Sequence, residues 1–230
     1  MADRTEPMGG TDRWVCLDVG ETLIDETRIW SVWADELGVP RLTFMAALGA
    51  VIERGEEHRD VFSDLGFGEM EWRAHGPEVE RRYGGFKEED LYPDARPAIA
   101  ALAAAGYRLA ILANQPASRS GELRALGISA DVLAMSDELG VAKPDPTFFA
   151  RALSLMGDPA PASVAYVGDR VDNDVLPALA AGMRAVWLRR GPWGVIQQLP
   201  AGEPQILAVA SLNELAERIG EAFEPVLETA

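Results

Sequence analysis

Trp14-Val15-Cys16-Leu17-Asp18-Val19-Gly20-Glu21-Thr22-Leu23 is the stretch on which the fold turns. Four apolar residues run unbroken to an aspartate, and a turn-like segment follows through Gly20. A short apolar run bounded by polar residues reads as a buried strand. The next sixty residues are of another kind. From Arg28 to about Asp90 the apolar positions fall at helical spacing and offer no strand. Trp30, Trp33, Ala34 and Leu37 share one helix face, ended by Gly38 and Pro40. Phe44, Leu48, Val51 and Ile52 make a second, closed by Gly55, and Pro77 predicts the first turn of a third short helix, Glu78 to Tyr83.

From Asp94 the texture changes to alternation. Pro97 to Ala105 reads as a helix stopped by Gly106, Tyr107 to Ala113 as a strand, and Ser118 to Ala125 as a helix stopped by Gly127. Pro146 to Leu155 is helical, Val164 to Val167 a strand, Asp174 to Ala181 a helix, Ala185 to Leu188 a strand, and Ile206 to Val209 a weaker one. Ser211 and Glu214 suit a capping box for a last helix, Leu212 to Ile219. Such alternation predicts a parallel sheet covered on both faces. The expected architecture is therefore α/β: a doubly wound, Rossmann-like parallel-sheet core at 14–26 and 90–230, a small all-helical second domain inserted at 27–89, and a flexible N-terminal tail at 1–13. At 230 residues the chain is long for one minimal domain and short for two of roughly 150 each, which suits a core with an insertion.

Charge narrows the partners. Thirty-seven acids against 21 bases leave a net charge of -16. A surface that negative repels phosphate backbones and anionic membranes, so neither nucleic acid nor membrane is an expected partner. No apolar run approaches the ~18 residues of a membrane span. The first 13 residues lack the apolar core of a signal peptide, so a cytoplasmic protein is expected. Cys16 is alone, which excludes an intramolecular disulfide and a Cys-rich zinc site, and His58 and His75 lack metal-ligand spacing. An anionic substrate would need a metal or a locally positive site. The only lysines are Lys87 and Lys143.

In open parallel sheets, ligands bind beyond the carboxyl ends of the strands, at a switch point in strand order. Three expected strands end in polar residues: Asp18, Asn114 and Asp169, with Asp172 and Asp174 just beyond. If those strands are neighbours, the polar residues converge on one cleft. Carboxylates gathered in this way are costly without a cation. Oxygen ligands without Cys or His favour Mg²⁺ over zinc. Lys143, in Val141-Ala142-Lys143-Pro144-Asp145-Pro146, could add a second positive charge.

Taken in order, Leu17-Asp18-Val19-Gly20-Glu21-Thr22-Leu23, Leu112-Ala113-Asn114, Lys143-Pro144-Asp145-Pro146 and Gly168-Asp169-Arg170-Val171-Asp172-Asn173-Asp174 resemble the haloacid dehalogenase superfamily, in the branch with a helical cap inserted after the first strand. The resemblance covers about Trp14 to Leu188. It implies that Asp18 is a nucleophile that attacks phosphorus, giving an aspartyl-phosphate that water hydrolyses. It implies Mg²⁺ held by Asp18, the Gly20 carbonyl and Asp169, with Asp174 supporting directly or through water. Lys143 would neutralise the nucleophile and the phosphoryl oxygens, and Asn114 lies where backbone amides hold phosphate. The expected protein is thus a Mg²⁺-dependent, phosphatase-like hydrolase of a small phosphorylated metabolite.

Two departures from the pattern bear on catalysis. Where the superfamily's phosphatases usually carry a second Asp as acid and base, this chain has Gly20; losing such a group costs about 10²–10⁴ in rate. Where they usually carry Ser or Thr in the second motif, it has Ala113, a lost hydrogen bond of about 1.5–3 kcal/mol. Glu21 is the nearest substitute acid, with Asp25, Glu26 or a bound water as others. The alternatives are a metal-independent 2-haloacid dehalogenase, which has no use for Asp169 and Asp174, and a catalytically weakened binding or regulatory protein. Among the remaining residues, Asp172 reads as a loop or N-cap residue and Cys16 as a small buried hydrophobe. Trp30 and Trp33 read as cap core, one of which could face a substrate, His58 and His75 as surface or cap residues, and Trp193 as a loop anchor or a residue at the site entrance.

Overall fold

Trp14–Leu17 (β1), Arg108–Ala113 (β2), Val132–Met135 (β3), Val164–Gly168 (β4), Arg184–Leu188 (β5) and Leu207–Val209 (β6) form one sheet in the order β3-β2-β1-β4-β5-β6. Every neighbouring pair is parallel. The computed structural model describes residues 12–201 and 206–224, so the expected tail lies almost wholly outside the described residues. Strand order reverses between β1 and β4, which makes their carboxyl ends the switch point of a doubly wound, Rossmann-like sheet. The register sets Leu17 between Ile111 and Val167, and the Asp18 N–H donates to the Val167 carbonyl at 2.9 Å. Asp18 therefore emerges at the middle of the sheet.

Between β1 and β2 the chain runs through Thr27–Glu36 (α1), Arg41–Glu53 (α2), Asp60–Asp64 (α3), Glu69–Tyr83 (α4) and Ala95–Ala104 (α5). The later helices are Ser118–Ala125 (α6), Ser136–Leu139 (α7), Pro146–Leu155 (α8), Leu176–Ala180 (α9), Gly191–Ile196 (α10) and Leu212–Arg218 (α11). Strand residues alternate between faces. Val15, Leu17, Ile111 and Val167 pack toward Leu102 of α5 and Leu215 of α11, whereas Cys16, Leu112 and Tyr166 pack toward Phe148 and Phe149 of α8. Both faces are covered, which is why the strands are apolar apart from Arg108 and Arg184 at the starts of β2 and β5.

The helices α1 to α4 bury a third cluster, in which Trp30, Phe44, Leu48, Val51 and Phe62 are buried and Phe62 stacks on Trp72 with centroids 4.6 Å apart. Arg28 of α1 ties the two chain crossings together. It donates to the carbonyls of Tyr83 and Gly85, both at 2.6 Å, pairs with buried Asp90 at 2.5 Å, and lies over the Tyr83 ring at 3.9 Å.

Four local expectations are corrected. Val132-Leu133-Ala134-Met135 is a strand, missed because it is a four-residue edge strand with its first half only partly buried. Pro77 lies inside α4 rather than at a helix start, and buried Val79 and Tyr83 hold the helix together past the lost hydrogen bond. The helix expected at Asp174 is preceded by a π turn, Val171–Val175, whose Val175 N–H reaches back to the Arg170 carbonyl at 3.1 Å. Trp193 is not a loop anchor: it sits in α10, 4% exposed, and packs into the cluster of the inserted helices.

Candidate active site

Asp18, Asp169, Asp174 and Lys143 meet at the carboxyl edge of β1 and β4. The Lys143 side chain is fully buried, and its Nζ lies 2.8 Å from Asp18 Oδ1 and 2.6 Å from Asp174 Oδ1. The rings of Tyr166 and Phe148 flank the ammonium, with centroids 5.2 and 5.9 Å away. Burial alone would lower the Lys143 pKa, but Asp174 and Asp18 outweigh it and hold the group above the ordinary lysine range. The strand ends supply two of these carboxylates, and the π turn supplies the third. It turns Asp174 back onto the sheet, where Oδ2 accepts from the Arg170 N–H at 3.0 Å. Gly168 makes room for this: a Cβ there would collide with the Asp174 carboxyl group.

Oxygens of Asp18, Asp169 and Asp174 all lie within 4.8 Å of one another. Asp169 is 2% exposed, and its Oδ2 is buried with no hydrogen-bond partner. A buried carboxylate oxygen in that state is destabilising unless a cation or a proton meets it. Burial, reinforced by Asp174 and Asp18, pushes the Asp169 pKa well above the usual carboxylate range, and burial lifts Asp18 to about 6 against the pull of Lys143. Three carboxylates face one ammonium, an all-oxygen donor set that could hold a hard divalent ion. The nearby Gly20 carbonyl accepts no hydrogen bond among the described residues.

Asn114 stands at the end of β2 and clasps the backbone of Lys143. Its Nδ2 donates to the Lys143 carbonyl at 2.8 Å, and its Oδ1 accepts from the Lys143 N–H at 2.7 Å. Its side chain thus positions the lysine. Glu21, with φ of 49°, is turned to one side: Oε2 accepts from the Tyr92 hydroxyl at 2.6 Å and Oε1 from the Glu26 N–H at 3.0 Å. Burial raises its pKa. Asp172 caps nothing; it pairs with Arg170 at 2.8 Å and accepts from Gln197 Nε2 at 2.8 Å.

A cleft of about 620 Å³ opens above these groups. The strand ends form its floor, and Trp30, His58 and Arg59 of the inserted segment with Arg170 and Trp193 form its walls. The His58 ring stands edge-on to Trp30 and Trp193, at 5.9 and 6.2 Å, while His75 pairs with Glu36 away from the cleft. Glu26 also lines the cleft, next to Gly20; burial, with Glu21 and Asp18 adding to it, raises its pKa to about 8. Its place over Gly20 carries no signal in the sequence, because the turn between the two residues sets it.

Residues 13–182 match the family of haloacid dehalogenase-like hydrolases, and the chain belongs to that family. It is 39% identical over 104 residues to a phosphoserine phosphatase of Thermus thermophilus, covering 44% of this chain and 41% of that protein. To a glyceraldehyde 3-phosphate phosphatase of Methanopyrus kandleri it is 37% identical over 105 residues, 44% of this chain and 45% of the other. The chain thus spans less than half the length of either relative. A 2-haloacid dehalogenase of Pseudomonas syringae shares the fold with a TM-score of 0.60 at 21% identity, over 91% of this chain and 98% of that one.

Proposed function

We propose that this hydrolase is a Mg²⁺-dependent phosphatase that acts on a small phosphorylated metabolite through an aspartyl-phosphate at Asp18. The observation that supports this most is the orphaned, buried Asp169 oxygen beside the Asp18–Lys143–Asp174 array, at the switch point of the sheet. Relatives named for phosphoserine and glyceraldehyde 3-phosphate support the substrate class. Asp18, Asp169 and the Gly20 carbonyl would hold the ion, and Asp174 would hold Lys143 and support the ion from behind. When bound, the ion supplies positive charge to the phosphoryl oxygens.

The chain's own residues do the rest. Lys143 Nζ fixes Asp18 Oδ1, so that the other oxygen attacks phosphorus, and its charge also faces the phosphoryl group. Asn114 fixes the Lys143 backbone with its side chain, and in this reading its backbone N–H would be one of those that hold phosphate. Residues 27–89 act as a cap over the core at 14–26 and 90–230, excluding water when closed. The test is phosphate release from a panel of phosphorylated metabolites and p-nitrophenyl phosphate, with Mg²⁺, with chelator, and with Asp18→Asn. The expected result is Mg²⁺-dependent release that chelator and Asp18→Asn both abolish. Halide release from 2-haloacids that persists in chelator would replace this reading with dehalogenation. A thermal shift with a phosphorylated metabolite but no release would replace it with binding.

A further inference from the structure

A carboxylate that attacks a phosphomonoester leaves two proton transfers to arrange. The departing alcohol oxygen needs a proton, and the water that later frees the enzyme must lose one. Lys143 is held between two carboxylates and has no proton to give up readily. Both oxygens of Glu21 are committed, to the Tyr92 hydroxyl and the Glu26 N–H. Asp172 is committed to Arg170 and Gln197. Glu26 is differently placed. Its carboxyl group lies over Gly20, so that a Cβ at Gly20 would fall 2.5 Å from Oε1 and 2.9 Å from Cδ. The Gly20 backbone is outside the left-handed region, and the end of the Glu26 side chain fills the space that a side chain at position 20 would enter. Glu26 lines the same cleft as Asp18, and the hydrogen bond it accepts from Gln115 Nε2 is long, at 3.2 Å.

We infer that Glu26 carries both protons, with Glu21 as the residue that positions it. The inference rests on Asp18 being the nucleophile. As Asp18 bonds to phosphorus, the phosphorus–alcohol bond breaks and its electron pair goes to the alcohol oxygen. That oxygen takes the proton of the Glu26 carboxyl group and leaves as the alcohol. The Glu26 carboxylate then takes a proton from water as the water oxygen attacks phosphorus. The bond from phosphorus to Asp18 breaks, its electron pair restores the Asp18 carboxylate, and phosphate departs with Glu26 protonated again.

Phenyl phosphate and p-nitrophenyl phosphate separate this role from a structural one, because they differ chiefly in how much the leaving oxygen needs a proton. For Glu26→Gln the expected loss in kcat/KM is about 10²–10⁴ with phenyl phosphate and less than about tenfold with the nitrophenyl ester. The nitrophenyl reaction should also begin with a burst of nitrophenol stoichiometric with enzyme, as the phosphorylated Asp18 accumulates. Glu26→Ala combined with Gly20→Asp places a carboxyl group in the vacated space and is expected to recover at least about tenfold over Glu26→Ala alone. Equal losses for the two esters, without a burst, overturn the role of Glu26 while leaving that of Asp18 intact. Phosphate release that is absent from the native protein, or that survives Asp18→Asn, overturns both.

Discussion

Asn114 shows how much of this site is held at one remove. Its amide makes two hydrogen bonds to the Lys143 backbone, at 2.7 and 2.8 Å, and touches no other part of the array. Asn114→Ala is expected to cost about 0.5–1.5 kcal/mol in urea unfolding, since it removes two part-buried hydrogen bonds from the Lys143 backbone. In turnover it is expected to lower kcat more than it raises KM, because the lysine drifts from Asp18. At this scale the sequence was informative where side chains stand at strand ends. Asp18 and Asp169 follow apolar runs directly, and Lys143 stands out as one of only two lysines. It was silent where a turn decides direction. Glu21 is closer in sequence to Asp18 than Glu26 is, yet its left-handed backbone sends it to Tyr92, and the residue farther along comes back over Gly20.

Elements were legible according to how completely they are buried. β1, β2 and β4 are nearly continuous apolar runs, and their alternation with helices was enough to define the sheet. β3 was lost because an edge strand needs only one buried half, and the π turn because its extra residue obeys no local pattern. Pro77 misled for a related reason: tertiary packing at Val79 and Tyr83 overrides the proline's local preference. The Arg28 clasp was equally unreadable, since it joins positions 55 to 62 residues apart. Arg28→Ala removes hydrogen bonds to two carbonyls and the partner of Asp90, and is expected to destabilise the protein by about 1.5–3 kcal/mol. Limited proteolysis should then cut at 84–90, where the chain returns from the helices. Arg28→Lys should recover little of this, because one ammonium cannot reproduce a planar fork.

For the whole molecule, the net charge of -16 and the buried acidic array act in the same direction. Both favour a cation at the one place where an anion is expected to enter. Mg²⁺ should therefore stabilise the fold by mass action, by about 2.7 kcal/mol at a hundredfold excess over its dissociation constant. Thermal denaturation with Mg²⁺ and with chelator measures this, and Asp169→Asn should abolish the difference between the two curves. Composition had already pointed to such an ion. Strand order, which brings β1, β2 and β4 side by side, is not legible in the sequence, because no residue announces its neighbour across a sheet.

Trp193 follows β5 in the chain, as the third residue of α10, and belongs by packing to the helices inserted between β1 and β2. If the inserted helices swing away from α10, as a cap would, that indole leaves its place beside His58 and meets water. The colour of its emission is therefore tied to the gap between the two layers. Set apart from the other five tryptophans by a Trp193→Phe difference spectrum, that emission would report the motion with no attached dye.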